Sequence, residues 1–190
     1  MSKSLSFILL GGLLCAACGK PPPTTAVFEF HNASLDRYFR TANAEEAAAL
    51  RANAASGETD TGKTFLAYPR TGYPEKARPV CRFYGSPSPG PNSHFYTADP
   101  GECDKLKQLQ QTTPATEKRW NFEEIAFAIQ VPAGESCPAD APVPVYRLYN
   151  KGFENGKDSN HRFTTDPALY QAMIGQGWAG EKIVMCAPKG

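Results

Sequence analysis

The sequence has almost no net charge and no long hydrophobic run. Its 20 lysines and arginines nearly balance its 19 aspartates and glutamates. No overall field therefore attracts nucleic acid, and we expect no nucleic-acid partner. The apolar run at residues 5–14 is too short to span a bilayer as a helix.

Recognisable catalytic motifs are also missing. The chain has no G-x-S-x-G elbow, no Walker loop, no G-x-G-x-x-G fingerprint and no H-E-x-x-H spacing. The adjacent carboxylates Glu123 and Glu124 would point to opposite faces of a strand, so they cannot form an acid/base pair. We expect a protein that is not an enzyme and that needs no cofactor or metal ion. A hydrolase with dispersed catalytic residues is the weakest alternative.

The N-terminal segment resembles a bacterial lipoprotein signal. A short basic start and an apolar run lead to small residues and Cys18. This predicts a signal peptide at residues 1–17, a lipid (palmitate) on Cys18 and a proline-rich tether at residues 18–26. We expect anchoring in the bacterial cell envelope, at the outer membrane or on the periplasmic side. Because Cys15 replaces the usual leucine, ordinary cleavage to a soluble periplasmic or secreted protein is the alternative.

One pattern recurs three times along the chain. VYRLYN followed by NHRFTTDP, VCRFYG followed by SHFYTADP, and VFEFHN followed by DRYFRTAN mark repeats at about residues 143–188, 80–131 and 27–68. Each copy predicts a strand, a loop, a second strand, a helix and a closing strand. Residues 27–190 are therefore expected to form a single domain.

Repeats of this size cannot each bury a core, so they should close on one another. We predict a mainly β domain with short helices, a three-repeat pseudo-threefold arrangement of β-trefoil type, and a monomer. The alternative is a mixed α+β sheet with helices on one face.

The strings VCRFYG, SHFYTADPGEC, FEEIAF, VPVYRLYN, NHRFTTDP and GWAGEKIVMCAP resemble a family of bacterial secreted repeats of unknown function. The resemblance spans almost the whole mature chain. It implies an exported module with a β-trefoil-like or otherwise β-rich fold, and it implies no catalytic residues.

Four cysteines remain if Cys18 carries a lipid, and an even number suits two disulfides in an oxidising compartment. Four cysteines allow three connectivities. Our hypothesis pairs Cys81 with Cys103 inside the second repeat, and Cys137 with Cys186 around the third repeat.

A threonine two residues before an aspartate or asparagine ends the second strand of every repeat. It predicts either three equivalent polar pockets or three helix N-caps, and we favour the caps. For the first helix we predict Glu46 as the capping-box partner of its cap. The residues are Thr41, Thr97 and Thr164, with Asn43, Asp99 and Asp166.

Histidines and aromatic residues supply the candidate ligand contacts. His94 and His161 occupy matching positions, which indicates either ligand or metal contacts or packing that the repeat encodes. We expect Trp120 and Trp178 in the core, and the loops at residues 85–92 and 151–160 as ligand surfaces. The candidate ligand-binding residues are His94, Tyr96, Tyr149, Asn160 and His161.

Together these features favour a membrane-anchored binding or accessory module whose ligand is a glycan or a cell-wall polymer. A protein-interaction or inhibitor module that presents loops from a β-rich scaffold is the alternative.

Overall fold

The computed structural model describes residues 20–190. The predicted signal peptide and Cys18 lie outside the described residues. Residues 20–24 are exposed and carry no regular secondary structure, as the predicted tether requires. Among the described residues, no helix is both long and apolar enough to cross a membrane.

Every repeat forms three strands and one helix in the same order. The first repeat contains β1 (Thr25–Asn32), β2 (Arg37–Thr41), α1 (Ala44–Ala52) and β3 (Glu58–Ala67). The second contains β4 (Arg78–Tyr84), β5 (His94–Thr97), α2 (Pro100–Thr112) and β6 (Asn121–Ile129). The third contains β7 (Val143–Tyr149), β8 (His161–Thr164), α3 (Pro167–Gly175) and β9 (Ala179–Ala187).

The strands of each repeat make a separate antiparallel sheet with the first strand in the centre. The orders are β2-β1-β3, β5-β4-β6 and β8-β7-β9. The first and second strands form a hairpin. The third strand follows the helix and pairs with the other edge of the first strand. The fold is therefore mainly β with three short helices. The alternative of one mixed sheet is wrong, because the strands divide into three small sheets.

Corresponding residues of the three repeats meet in one hydrophobic core. The first strands contribute a valine each, and the third strands contribute two apolar residues each. The strands β3, β6 and β9 contact one another, so each sheet touches the other two. Burying such side chains stabilises the fold by roughly 1.5–3 kcal/mol each. The residues are Val27, Val80, Val145, Phe65, Phe127, Met185, Ala67, Ile129 and Ala187.

The interpretation of the Thr-x-Asx signature as helix caps is confirmed. The side chains of Asn43, Asp99 and Asp166 accept hydrogen bonds from backbone N–H groups in the first turn of α1, α2 and α3. The threonine two residues earlier accepts the N–H of the cap residue itself, at 2.9, 3.0 and 3.1 Å in the three repeats. Both groups satisfy donors that a helix start leaves unpaired.

The predicted capping box of α1 is wrong. The N–H of Asn43, which Glu46 was expected to bind, is already taken by the hydroxyl of Thr41. The carboxylate of Glu46 instead accepts a hydrogen bond from Arg82 of the second repeat. The sequence spacing of a capping box is present, but a tertiary partner competes for the carboxylate.

The structure contains the two disulfides that the sequence indicated. Cys81–Cys103 joins β4 to α2, and Cys137–Cys186 joins the segment before the third repeat to β9. The bridges hold a helix and the C-terminal strand against their sheets. Disulfides of this kind persist in oxidising compartments.

Candidate functional site

The repeats are joined at three contact zones, which we call the first seam (repeats one and two), the second seam (two and three) and the closing seam (three and one). At the first seam, Arg82 donates to Glu46 of the preceding repeat at 3.0 Å and to Glu123 of its own repeat at 2.9 Å. At the second seam, Arg147 binds Glu102 and Glu181 in the same way, both at 3.0 Å. Each of these two seams therefore sets one guanidinium among carboxylates, and Arg82 has a third partner in Glu124 at 3.2 Å.

The closing seam has the opposite charges. Glu29 occupies the position in β1 that Arg82 and Arg147 occupy in β4 and β7. Its carboxylate accepts from Arg40 at 2.6 Å and from Arg162 at 2.8 Å. Burial tends to raise the pKa of Glu29, but the two guanidinium groups outweigh it and hold that pKa below its usual value. One buried carboxylate between two guanidiniums closes the ring of repeats.

A stacked histidine–tyrosine pair lies in every repeat. His94 stacks on Tyr84 with ring centroids 4.7 Å apart, and His161 stacks on Tyr149 at 4.9 Å. In the first repeat the residues exchange strands: His31 lies on β1 and stacks on Tyr38 of β2 at 4.6 Å. Tyr38 thus stands at the position of the two candidate histidines.

His94 and His161 pack into different seams. His94 meets the ring of Phe39 from the first repeat edge-on, and His161 meets Phe95 from the second repeat in the same way, both at 4.7 Å. They do not form a common metal site, and no group of three potential ligands that could hold a metal ion occurs in residues 20–190. Their geometry is that of seam packing.

His161 is neutral in this environment. Burial, followed by the charge of Arg147, lowers the pKa of His161 to about 3. Its Nε2 lies 3.6 Å from Glu181, and its buried Nδ1 has no hydrogen-bond partner in the part of the chain that the structure describes. Burial also raises the pKa of Glu181, although Arg147 works against that rise. A surface ligand could reach this ring only by displacing its packing partners.

Two other candidate ligand residues are buried. The hydroxyl of Tyr96 donates to the carbonyl of Arg40 at 2.7 Å and accepts its N–H at 2.9 Å. The side-chain amide of Asn160 donates to the carbonyl of Asp36. Tyr96 and Asn160, which the sequence analysis proposed as ligand contacts, are only 2 % and 3 % exposed. Both instead join different repeats.

The other aromatic candidates lie at the edges of the seams. Tyr149 is half-buried, and its hydroxyl donates to Glu154 at 2.7 Å. Trp120 and Trp178 are also half-buried rather than fully buried, and Trp120 packs against the apolar cluster of the second repeat. Trp120 packs near His161 of the next repeat, and Trp178 packs near Tyr38. The tryptophans recur because each covers the seam that follows its own repeat.

The loops that were expected to form ligand surfaces meet at one end of the domain. The N–H of Asn92 donates to Asp158 at 2.9 Å, and Ser93 donates to the carbonyl of Ser159. Arg37 of the first repeat also donates to Asn92. With the contact between Asn160 and Asp36, these bonds connect the hairpin loops of all three repeats. Sequence reasoning found the loops but not these connections.

At the opposite end, where the helices begin, every seam opens into a depression. The second-seam groove has a volume of about 590 Å³, the first-seam groove about 420 Å³ and the closing-seam cavity about 290 Å³. The cap residues Asn43, Asp99 and Asp166 line them, one in each. The cap residues of the Thr-x-Asx signature therefore also border the depressions between the repeats.

The second-seam groove combines charged and apolar walls. Arg78, Asp99, Glu102 and Arg147 supply polar groups, and aliphatic residues of β9 and of the segment after β6 supply the apolar surface. Arg78 is exposed and forms no ion pair with any residue between 20 and 190. The groove therefore offers a ligand both hydrogen-bond donors and hydrogen-bond acceptors beside an apolar surface.

The lowered pKa of His161 makes a testable contribution to acid sensitivity. In the unfolded chain this imidazole should protonate near its ordinary pKa of about 6.5, whereas the folded protein keeps it neutral down to about pH 3. Stability is therefore lost as the pH falls from 6.5 towards 3. Urea unfolding of His161→Phe should show a smaller loss between pH 6.5 and 4.5, by on the order of 2 kcal/mol.

Phe127→Leu provides the control for that measurement, because it changes the packing of the central core away from His161 and removes no titrating group. It should lower stability at every pH and keep the pH dependence of the wild type. Equal pH dependence of the wild type and His161→Phe would contradict the assignment.

Comparison with known proteins identifies a family but no function. Residues 14–111, just over half of the chain, match the family model described as "Domain of unknown function (DUF5648)". The match covers the first repeat and most of the second repeat up to the end of α2. No curated protein and no solved structure matches the chain significantly. The chain therefore belongs to the DUF5648 family of domains of unknown function.

Proposed function

We propose that this protein is a non-catalytic binding module of the bacterial cell envelope, and that a glycan or cell-wall polymer binds in the second-seam groove. The observation that carries the proposal is the mixed lining of this groove. Its volume of about 590 Å³ lies in the range of roughly 300–1,000 Å³ that small-ligand sites occupy.

The chemistry of a sugar ring fits such a lining. A pyranose has C–H groups on its faces and hydroxyls around its edge, and each hydroxyl both donates and accepts hydrogen bonds. Val131 and Ile183 offer aliphatic contact, the guanidinium of Arg78 donates, and the carboxylate of Asp99 can accept. Both sugar surfaces therefore find a complementary partner in one groove.

The repeated architecture supports this proposal. We propose that the three repeats close in a trefoil-like way around a pseudo-threefold axis, which places related depressions at all three seams. Thr25 begins β1 and lines the first-seam groove, so the grooves lie at the end of the domain where the tether enters. A lipid on Cys18 would hold that end towards the membrane.

The anchoring is tested by the intact mass and membrane partition of the protein expressed in a bacterium. We expect the wild type to carry added lipid mass and to enter the membrane fraction, because Cys18 accepts the lipid. Cys18→Ala should lose both properties. Cys15→Ala is the matched control and should keep both, since Cys15 leaves with the signal peptide. An unmodified, soluble wild type would refute the anchor.

A protein-interaction module is the second candidate, and the loop end favours it. Phe153 and Leu35 lie in hairpin loops of the third and first repeats, with 73 % and 47 % of their surface exposed. Large exposed apolar residues of this kind are typical of contact surfaces. This candidate predicts that a protein ligand binds at the loop end, and that substitutions in the second-seam groove do not change its affinity.

The groove is tested by saturation binding of peptidoglycan and soluble glycans to the purified protein. Arg78→Ala should raise the dissociation constant about tenfold, because it removes an exposed donor that has no ion-pair partner in the described chain. Arg70→Ala is the matched control: Arg70 lines the first-seam groove and is 62 % exposed.

The glycan proposal requires that Arg70→Ala bind as the wild type does. Equal weakening by both substitutions, or no saturable binding of any polymer, would overturn it. If Phe153→Ser then abolished the capture of a protein ligand by the wild type, the loop end would be the functional surface.

A further inference from the structure

The closing seam has an excess of positive charge that the other two seams do not have. The first seam sets three carboxylates around one guanidinium, and the second seam sets two. The closing seam sets two guanidiniums, Arg40 and Arg162, around the single carboxylate of Glu29. The residue of α3 that corresponds to Glu46 and Glu102 is Leu169, so α3 supplies no carboxylate at this position.

Arg40 is also incompletely hydrogen-bonded. Its Nη2 donates to Glu29 and to the carbonyl of Phe163. Its Nε and Nη1 are buried and have no hydrogen-bond partner among residues 20–190. By contrast, all three guanidinium nitrogens of Arg147 donate to carboxylates. Leaving buried N–H groups unpaired is costly, so a site with this donor surplus favours an acceptor.

A cavity adjoins this arginine. The closing-seam cavity, of about 290 Å³, is lined by Arg40, Lys63, Asp166 and three threonines. The hydroxyls of Thr64 and Thr165 make no hydrogen bond within the described chain, so they can donate to a ligand. The cavity thus has a guanidinium in its wall, an ammonium group and hydroxyl donors.

The charged side chains that line the cavity or lie beneath it carry a net positive charge. Arg40, Arg162 and Lys63 are cationic, and Glu29 and Asp166 are anionic. The Oδ1 atom of Asp166 accepts the N–H groups of Ala168 and Leu169, and its Oδ2 accepts from Lys63 at 3.4 Å. The only carboxylate that lines the cavity is therefore occupied by the start of α3 and by Lys63.

We propose that the closing-seam cavity binds a small oxyanion of the phosphate class. The anion accepts from Lys63, from the threonine hydroxyls and, after a small side-chain movement, from Arg40. It also balances the excess charge of the closing seam. This site is separate from the second-seam groove, so it stands whether or not the protein binds a glycan.

The test is a titration of the purified protein with inorganic phosphate, followed by calorimetry and by thermal unfolding at constant ionic strength. Sodium chloride serves as the reference for general screening. Phosphate should bind saturably and raise the unfolding temperature beyond the chloride value, since a ligand of the native state stabilises it. A phosphate monoester in a second titration distinguishes a free ion from a terminal phosphate group of a larger ligand.

Two matched variants locate the site. Lys63→Ala should weaken phosphate binding about tenfold, because it removes a charged donor from the cavity. Lys76→Ala is the control: Lys76 pairs with Asp140 at 3.4 Å, the same distance as Lys63 to Asp166, but outside the closing seam. Thr165→Val provides a second, uncharged probe and should also weaken binding.

Three results would overturn the proposal. They are no saturable effect of phosphate on the wild type, equal weakening by Lys63→Ala and Lys76→Ala, and an unchanged affinity in both Lys63→Ala and Thr165→Val. Both cavity positions are at least partly exposed, so these variants test binding in a folded protein.

Discussion

The structure depends on a buried carboxylate that residues from both ends of the domain must satisfy. Glu29 is fully buried, and Arg162, 133 residues later in the chain, donates to it. A carboxylate in such a site is tolerated only when it is paired and hydrogen-bonded. Glu29 therefore acquires its full set of partners only after the third repeat has docked on the first. The pairing of Glu29 with Arg162 therefore couples the burial of this carboxylate to the docking of the third repeat on the first.

The inverted charges also specify the order of the repeats. The helices α1 and α2 present Glu46 and Glu102 to an arginine of the following repeat, whereas α3 has Leu169 at that position. If the first repeat docked behind α1 or α2, Glu29 would meet another carboxylate and would keep Arg40 but lose Arg162 as a partner. Repulsion between wrong partners is a recognised source of specificity. The hydrophobic core alone is too similar in the three repeats to provide it.

Local structure could be predicted from the sequence, and contacts between repeats could not. Alternating residues, the Thr-x-Asx signature and the cysteine positions predicted the strands, the caps and the disulfide pairs. Glu46 was assigned wrongly because its partner, Arg82, belongs to another repeat, and the hydrogen bonds between Tyr96 and the backbone of Arg40 likewise join two repeats. Aligning the repeats reveals that Glu29 replaces an arginine, but the guanidiniums that hold it become evident only in the folded chain. The grooves form between repeats, so no sequence motif predicts them apart from the cap residues that line them.

The most direct test is a double-mutant cycle at Glu29 and Arg162, measured by urea unfolding. Glu29→Gln should cost about 3–5 kcal/mol, because it leaves buried guanidiniums without a carboxylate. The cycle with Arg162→Gln should give a coupling energy above about 1.5 kcal/mol. The exposed pair of Lys76 and Asp140 should give a much smaller coupling, because solvent screens it. A coupling at Glu29 and Arg162 no larger than at the exposed pair would contradict the claim that this interaction closes the ring.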